Sequence, residues 1–166
     1  KNKCLKTIYD VPFVNAAGWL IPKKTLEDVG GFDPIFYHYG EDVNYCQRLL
    51  FHGCKIGIVP NVYLLHDREA RVEIPLKPSD RLKIVERKLK VYWADINKDT
   101  EREVNNYKNR LKKAIIKQVL QLRFRETQYL LRELQLVHRL LPEIQESRRL
   151  NVIKNAHYLN KNNLNK

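Results

Sequence analysis

Glu41 and Asp42 stand side by side in the stretch HYGEDVNYCQRLLFHGCKIGIVP (38–60), just after a glycine and just before an apolar-periodic run. Two like charges at the mouth of a helix have an ordinary explanation. Side chains there accept hydrogen bonds from backbone N–H groups that the helix leaves free. They also have a chemical one. A helix N-terminus carries a partial positive charge, which favours an anion beside it. As an anion, Asp42 can take a proton from a hydroxyl within hydrogen-bond reach, the role of a general base. Two further residues suit such chemistry. His66, near the end of NVYLLHD (61–67), can ligate a metal or bind a phosphate. Trp19, one residue past Gly18, offers a flat face on which a sugar ring can stack.

The elements that must hold these residues follow from the surrounding pattern. VPFVNAAGWLIP (11–22) reads as a buried strand with small residues, Asn15 to Gly18, at its middle, where another group can come close. KKTLEDVGGFDP (23–34) reads as a short helix stopped at Gly30-Gly31, with Asp33 as a turn residue beyond it. Val43, Cys46, Leu49 and Leu50 form the apolar stripe of a helix over 41–53, which places Cys46 in the core. CKIGIVP (54–60) and NVYLLHD read as two strands. Pro75 and Pro78 mark a break, and Ser79 is expected to cap a helix over 80–96. Thr100 and Glu103 have capping-box spacing and open a helix expected to run from about 101 to 140, stopped by Pro142. The Asn/Lys-rich end, HYLNKNNLNK, reads as frayed. The layout is therefore α/β over 1–78 and α-helical over 79–166.

Charge divides the chain at a similar place. The formal charge is +12 and the isoelectric point about 9.7. Residues 1–95 carry 15 Lys/Arg against 12 Asp/Glu, whereas residues 96–166 carry 16 against 7. A basic second half implies an anionic partner. Many leucines and few aromatics there argue against nucleic acid. Cys4, Cys46 and Cys54 have no CxxC spacing, which argues against a zinc site or a disulfide framework and fits a reducing, cytoplasmic setting. No apolar run reaches the roughly 18 residues of a membrane span. The N-terminus, KNKCLKTIYD, shows neither an initiator Met nor a signal-peptide pattern, and the expectation is an excised piece of a longer chain.

Asn15 to Gly18, Gly30-Gly31-Phe32-Asp33, Phe36 with Tyr37 and Tyr39, Glu41-Asp42, Arg48, Gly53, Val59-Pro60 and His66 occur in that order. Together they resemble the C-terminal half of the catalytic domain of family 2 glycosyltransferases, bacterial rhamnosyltransferase-like members in particular. The resemblance covers about residues 11–67. It implies a GT-A fold, with residues 1–78 as the acceptor-side part of the catalytic domain. It implies inverting transfer of a sugar from a nucleotide-diphospho-sugar donor to a hydroxyl acceptor, such as a lipid-linked or cell-surface glycan. The aspartate of the ED pair, Asp42, would be the base. Mg²⁺ or Mn²⁺ would neutralise the leaving diphosphate, held mainly by an earlier DxD motif and completed by the strand-end His66.

Substrate-binding roles then fall on Gly18, Trp19, Glu41 and Arg48, each against a plainer alternative. Trp19 is a sugar or acceptor wall, or it packs. Glu41 orients the acceptor, or it caps the helix. Arg48 contacts a diphosphate, or it pairs with a carboxylate near the helix start. The sequence departs from the family pattern in lacking a DxD and a strand-Gly-helix nucleotide segment before residue 11. The expectation is an acceptor-side half that by itself neither binds donor well nor turns over, with a sheet edge that needs a partner.

The stretch RLKKAIIKQVLQLRFRETQYLLRELQLVHRLL (110–141) mixes Leu, Ile and Val with Lys and Arg, and its apolar residues occupy more than one face. It is expected to pack on the catalytic part or a second copy, or to lie on an anionic bilayer, peripherally at the inner face of the membrane. A different reading of the whole chain is a non-catalytic assembly or membrane-docking module, with the front half as its scaffold.

Overall fold

Helical periodicity governs most of the second half. The computed structural model of the protein describes residues 8–37, 39–65 and 78–159, with only the backbone at 78 and 79. Along the last helix, Glu133, Leu136, Val137, Leu140, Ile144, Ser147 and Asn151 recur every three or four residues and are buried. That spacing puts them on one face. This helix, α5 (Phe124–Asn151), lays its stripe against α3 (Pro78–Trp93) and α4 (Glu101–Leu120). Leu89, Trp93, Ala94, Val104, Leu111, Leu136, Val137, Leu140 and Ile144 form the core between them. Fully burying a side chain of this size contributes about 1.5–3 kcal/mol. Trp93 packs edge-on to Tyr107, whose hydroxyl donates to the buried Glu133 carboxylate. Arg148 of α5 donates to the carbonyl of Trp93, which the end of α3 leaves free, and to those of Asp95 and Lys98 in the loop beyond it.

The second half departs from the expected single helix over 101–140. The helix breaks after Leu120, where Leu122 takes a left-handed φ of 54° and the Arg123 N–H turns back to the Gln118 carbonyl at 3.0 Å. Pro142 does not stop α5 but lies inside it. It is exposed, as is His138, so the carbonyl that loses its helical donor faces water. Helix α3 begins at Pro78, which puts Ser79 within it rather than ahead of it. Thr100 is the N-cap residue of α4, but its side chain makes no capping bond. The Asp99 carboxylate accepts the Glu101 N–H instead, at 3.2 Å.

The first half has two helices, α1 (Lys23–Val29) and α2 (Glu41–Phe51), and a two-residue ribbon. Strand β1 (Tyr9–Asp10) runs antiparallel to β2 (Gly57–Ile58), with Tyr9 opposite Ile58, and the Val11 N–H continues the pairing to the Ile56 carbonyl at 2.9 Å. The buried strand expected over 11–22 is an irregular, largely exposed segment. Pro12 and Pro22 offer no N–H, and among the described residues no strand runs beside it. Residues 61–65 likewise form no strand. Among the described residues, no helix is long and apolar enough to cross a membrane.

The boundary at 78/79 is crossed by many contacts. Phe36 enters the helical core. Asp33, 1% exposed, accepts through Oδ2 from Ser147 Oγ at 2.6 Å, Asn151 Nδ2 at 2.8 Å and the Tyr158 hydroxyl at 3.3 Å. The Gly31 N–H donates to the His157 carbonyl at 2.8 Å, and the Asn155 N–H to the Asp28 carbonyl at 2.9 Å. At Gly30 (φ 84°) any Cβ would fall 2.2 Å from the His157 oxygen. The start of HYLNKNNLNK, expected to fray, is thus seated on the GGFD turn. Residues 160–166 lie outside the described part.

Candidate functional site

The candidate site is built on the first turns of α2. Gly40 starts the helix in a left-handed conformation, φ 103°, and a Cβ there would meet Val91 Cγ2 at 2.6 Å. Side-chain bonds on several sides then fix the helix. The Tyr45 hydroxyl donates to the Gly30 carbonyl at 3.0 Å and Gln47 Nε2 to the Val91 carbonyl at 3.3 Å. Asn97 Nδ2 donates to the Gln47 carbonyl at 2.9 Å, and His52 Nε2 lies 2.9 Å from the Asn151 carbonyl oxygen.

Successive residues on a helix point about 100° apart, so the two carboxylates diverge. Glu41 shares its face with Tyr45 and Arg48, which are each 1% exposed. Its Oε2 is shut off from water and has no hydrogen-bond partner among the described residues. Asp42 shares its face with Cys46 and Leu49 and is half-buried. Its Oδ1 accepts the Val43 N–H at 2.8 Å, one of the donors that the first turn leaves free. Burial pushes the Cys46 thiol up from its ordinary pKa, and the charge of Asp42, one turn before it, adds to the rise.

Cys46 and Leu49 form one wall of a groove of about 890 Å³. The segment from Ala17 to Trp19 forms another wall, and Tyr63 and Leu64 a third. A Cβ at Gly18 would come 1.8 Å from Leu64 Cδ1, so a side chain there would push the exposed Leu64 aside. Trp19 is half-buried; its indole N–H donates to the Asn15 carbonyl at 2.9 Å. Its ring lies 5.8 Å from Phe32 and 5.7 Å from Tyr45. Packing therefore sets the orientation of Trp19, while its free part lines the groove. Gly18 and Trp19 line this groove with Cys46 and Leu49; Asp42, one turn before Cys46 on α2, is not among its lining residues.

Arg48 is different, and the expected roles at a diphosphate or at a carboxylate near the helix start do not match its surroundings. Its guanidinium is buried and donates to the Gly31 carbonyl at 2.6 Å and to the Val29 carbonyl. The rings of Tyr45 and Tyr158 lie on it at 5.4 and 5.3 Å. Burial lowers its pKa, opposed by Tyr158, Asp33 and Tyr45. A side chain so enclosed holds the GGFD turn against α2 and does not reach the groove.

His66 lies outside the described residues. Among the described residues no three His, Cys, Asp or Glu side chains stand close enough to hold a metal. These residues alone do not make the expected Mg²⁺ or Mn²⁺ site. The sequence reading also missed Asp33, Ser147, Asn151 and Tyr158 as the group that ties the GGFD turn to α5 and the residues after it. The GGFDP motif was the one visible signal. It showed a turn, and the turn is present, with the Ile35 N–H on Asp33 Oδ1 at 3.1 Å.

Comparison with known proteins gives a partial relationship. The chain is 34% identical over 62 residues to the pre-mycofactocin glycosyltransferases of two Mycobacterium tuberculosis strains, CDC 1551 / Oshkosh and ATCC 25618 / H37Rv. The match covers 37% of this chain and 13% of each relative. No protein-family model matches the chain, and no solved structure does. The chain is thus related, over part of its length, to a glycosyltransferase.

Proposed function

We propose that the protein to which this chain belongs transfers a sugar from a nucleotide-diphospho-sugar to a hydroxyl acceptor, with inversion, on a GT-A-type α/β domain of family 2. The groove beside α2 receives the acceptor. Asp42 is the general base. As the acceptor oxygen attacks the anomeric carbon, its proton passes to the Asp42 carboxylate. The bond from that carbon to the diphosphate breaks, and the nucleoside diphosphate leaves from the opposite face. Trp19 and Gly18 shape the wall against which the acceptor lies.

The observation that carries this reading is the groove that Gly18 and Trp19 line together with Cys46, one turn after Asp42 on α2, within a chain partly related to a glycosyltransferase. The test is release of nucleoside diphosphate by the full-length gene product from a panel of UDP-, dTDP- and GDP-sugars, with Mg²⁺ or Mn²⁺ and a crude glycan acceptor fraction. Acceptor-dependent release from one donor class is the expected result. No release from any donor overturns the reading. It would favour the alternative of a non-catalytic assembly module, to which the concentration of the core in α3–α5 lends support.

A further inference from the structure

Helices α4 and α5 share a core only near their bases. Leu111 is the last buried residue of α4 and Glu133 the first of α5, and no residue from 112 to 132 is buried. The hairpin tip therefore stands clear of the core by roughly 13 Å along α4, at 1.5 Å per residue. A tip in water is expected to be polar. This one exposes Ile116, Val119, Leu120, Leu122 and Phe124, the last three at 79%, 71% and 71%. The break at Leu122 gathers them: it folds the apolar ends of both helices into one turn.

Lys112, Lys113, Lys117, Arg123 and Arg125 surround these side chains, with Glu126 the one acid from 112 to 126. None of the five cations forms an ion pair among the described residues. The two features together select the partner. A second copy docked tip to tip would cover the apolar side chains but bring two sets of cations together. A nucleic acid would meet the cations and leave four aliphatic side chains and one ring in water. An anionic bilayer accommodates both, with lipid phosphates at the cations and acyl chains at the apolar turn.

We propose that the α4–α5 tip docks the protein on an anionic membrane surface. Val119, Leu120, Leu122 and Phe124 enter the boundary between headgroups and acyl chains, and the lysines and arginines lie at the headgroup phosphates. This stands independently of the sugar-transfer reading.

The test is co-sedimentation of the 166-residue chain with vesicles of phosphatidylcholine containing phosphatidylglycerol, beside vesicles of phosphatidylcholine alone. Binding to the anionic vesicles that weakens at high salt is expected. The double variant Leu120→Asp, Phe124→Asp should lower that binding more than about tenfold. The triple variant Lys112→Glu, Lys113→Glu, Lys117→Glu should lower it by more than about a hundredfold, since each basic residue near the surface contributes about fivefold, or about 1 kcal/mol. Thermal melts of both variants should match the parent, because the tip contributes nothing to the core. Absence of binding overturns the proposal, and so does binding that survives the Leu120→Asp, Phe124→Asp change. A parent dimer that the same change dissociates, without vesicle binding, assigns the tip to a second copy and also overturns it.

Discussion

The two halves of this molecule are held together by different forces. Nine of the ten buried residues in the principal core come from α3, α4, α5 and the residues directly after α3; Phe36 alone comes from the first half. The first half has a smaller apolar cluster of its own, with Val29, Tyr45, Cys46 and Ile56 buried, and is joined to the second largely by buried polar contacts. Asp33 gathers Ser147, Asn151 and Tyr158, and Arg48 binds the carbonyls of the turn that carries Asp33. Polar contacts of this kind are directional, so they fix α2 in one orientation, whereas apolar burial alone tolerates sliding. The difference teaches that the half carrying the proposed chemistry depends on the other half for its geometry. The helical region is then part of the site's support, not an appendage.

That contrast can be broken most forcefully at Asp33. Asp33→Ala leaves several buried donors unpaired, each costing about 1–3 kcal/mol, for an expected loss near 3–5 kcal/mol in chemical denaturation. Leu140→Ala, at a fully buried position of the helical core, should cost about 2–5 kcal/mol by loss of burial and a cavity. Comparable losses support two supports of equal weight; a negligible loss at Asp33 would mean the first half is not held through it. Arg48→Met is next. It frees the Val29 and Gly31 carbonyls and should cost about 1.5–3 kcal/mol. Circular dichroism should then show disturbed aromatic signals from the Trp19, Phe32 and Tyr45 cluster.

Pro142→Ala sharpens the comparison from the helical side. It restores one N–H inside α5 and should raise stability by about 1–3 kcal/mol, read as a higher denaturation midpoint. The smallest expected effect is alkaline. Burial raises the pKa of Tyr107 in the helical half and of Tyr158 at the junction, aided by Glu133 and Asp33 respectively. Below the ordinary tyrosine value both folded and unfolded chains keep these protons. Above about pH 10 the unfolded chain loses them first, so stability should fall as pH rises. Tyr158→Phe should remove part of that fall, and a pH series of urea midpoints would show it.

How far the sequence revealed this arrangement depended on the range of the interactions. Helices α1 and α2 were legible because local signals bound them: Gly30 and Gly53, both at positive φ, and the Val43–Cys46–Leu50 periodicity. The segment 11–22 was not, because a strand exists only through a partner and its composition says nothing of whether one is present. Pro142 misled because its cost depends on exposure, which the sequence does not display. The turn at Leu122 has no glycine to mark it. Around the candidate site, the placement of Asp42 at the start of α2 was readable. The inward turn of Arg48 was not, since its partners Tyr158 and the GGFD carbonyls lie far from it in the chain. Asp33 and Asn151 are separated by 118 positions, a pairing no local pattern announces.

The central claim is that Asp42 removes the acceptor proton, and Asp42→Asn in the full-length gene product tests it most directly. The amide keeps the shape of the side chain but cannot take the proton. Donor binding by calorimetry should be unchanged while turnover falls by about 10²–10⁴-fold. Turnover at the parent rate in that variant would contradict the account.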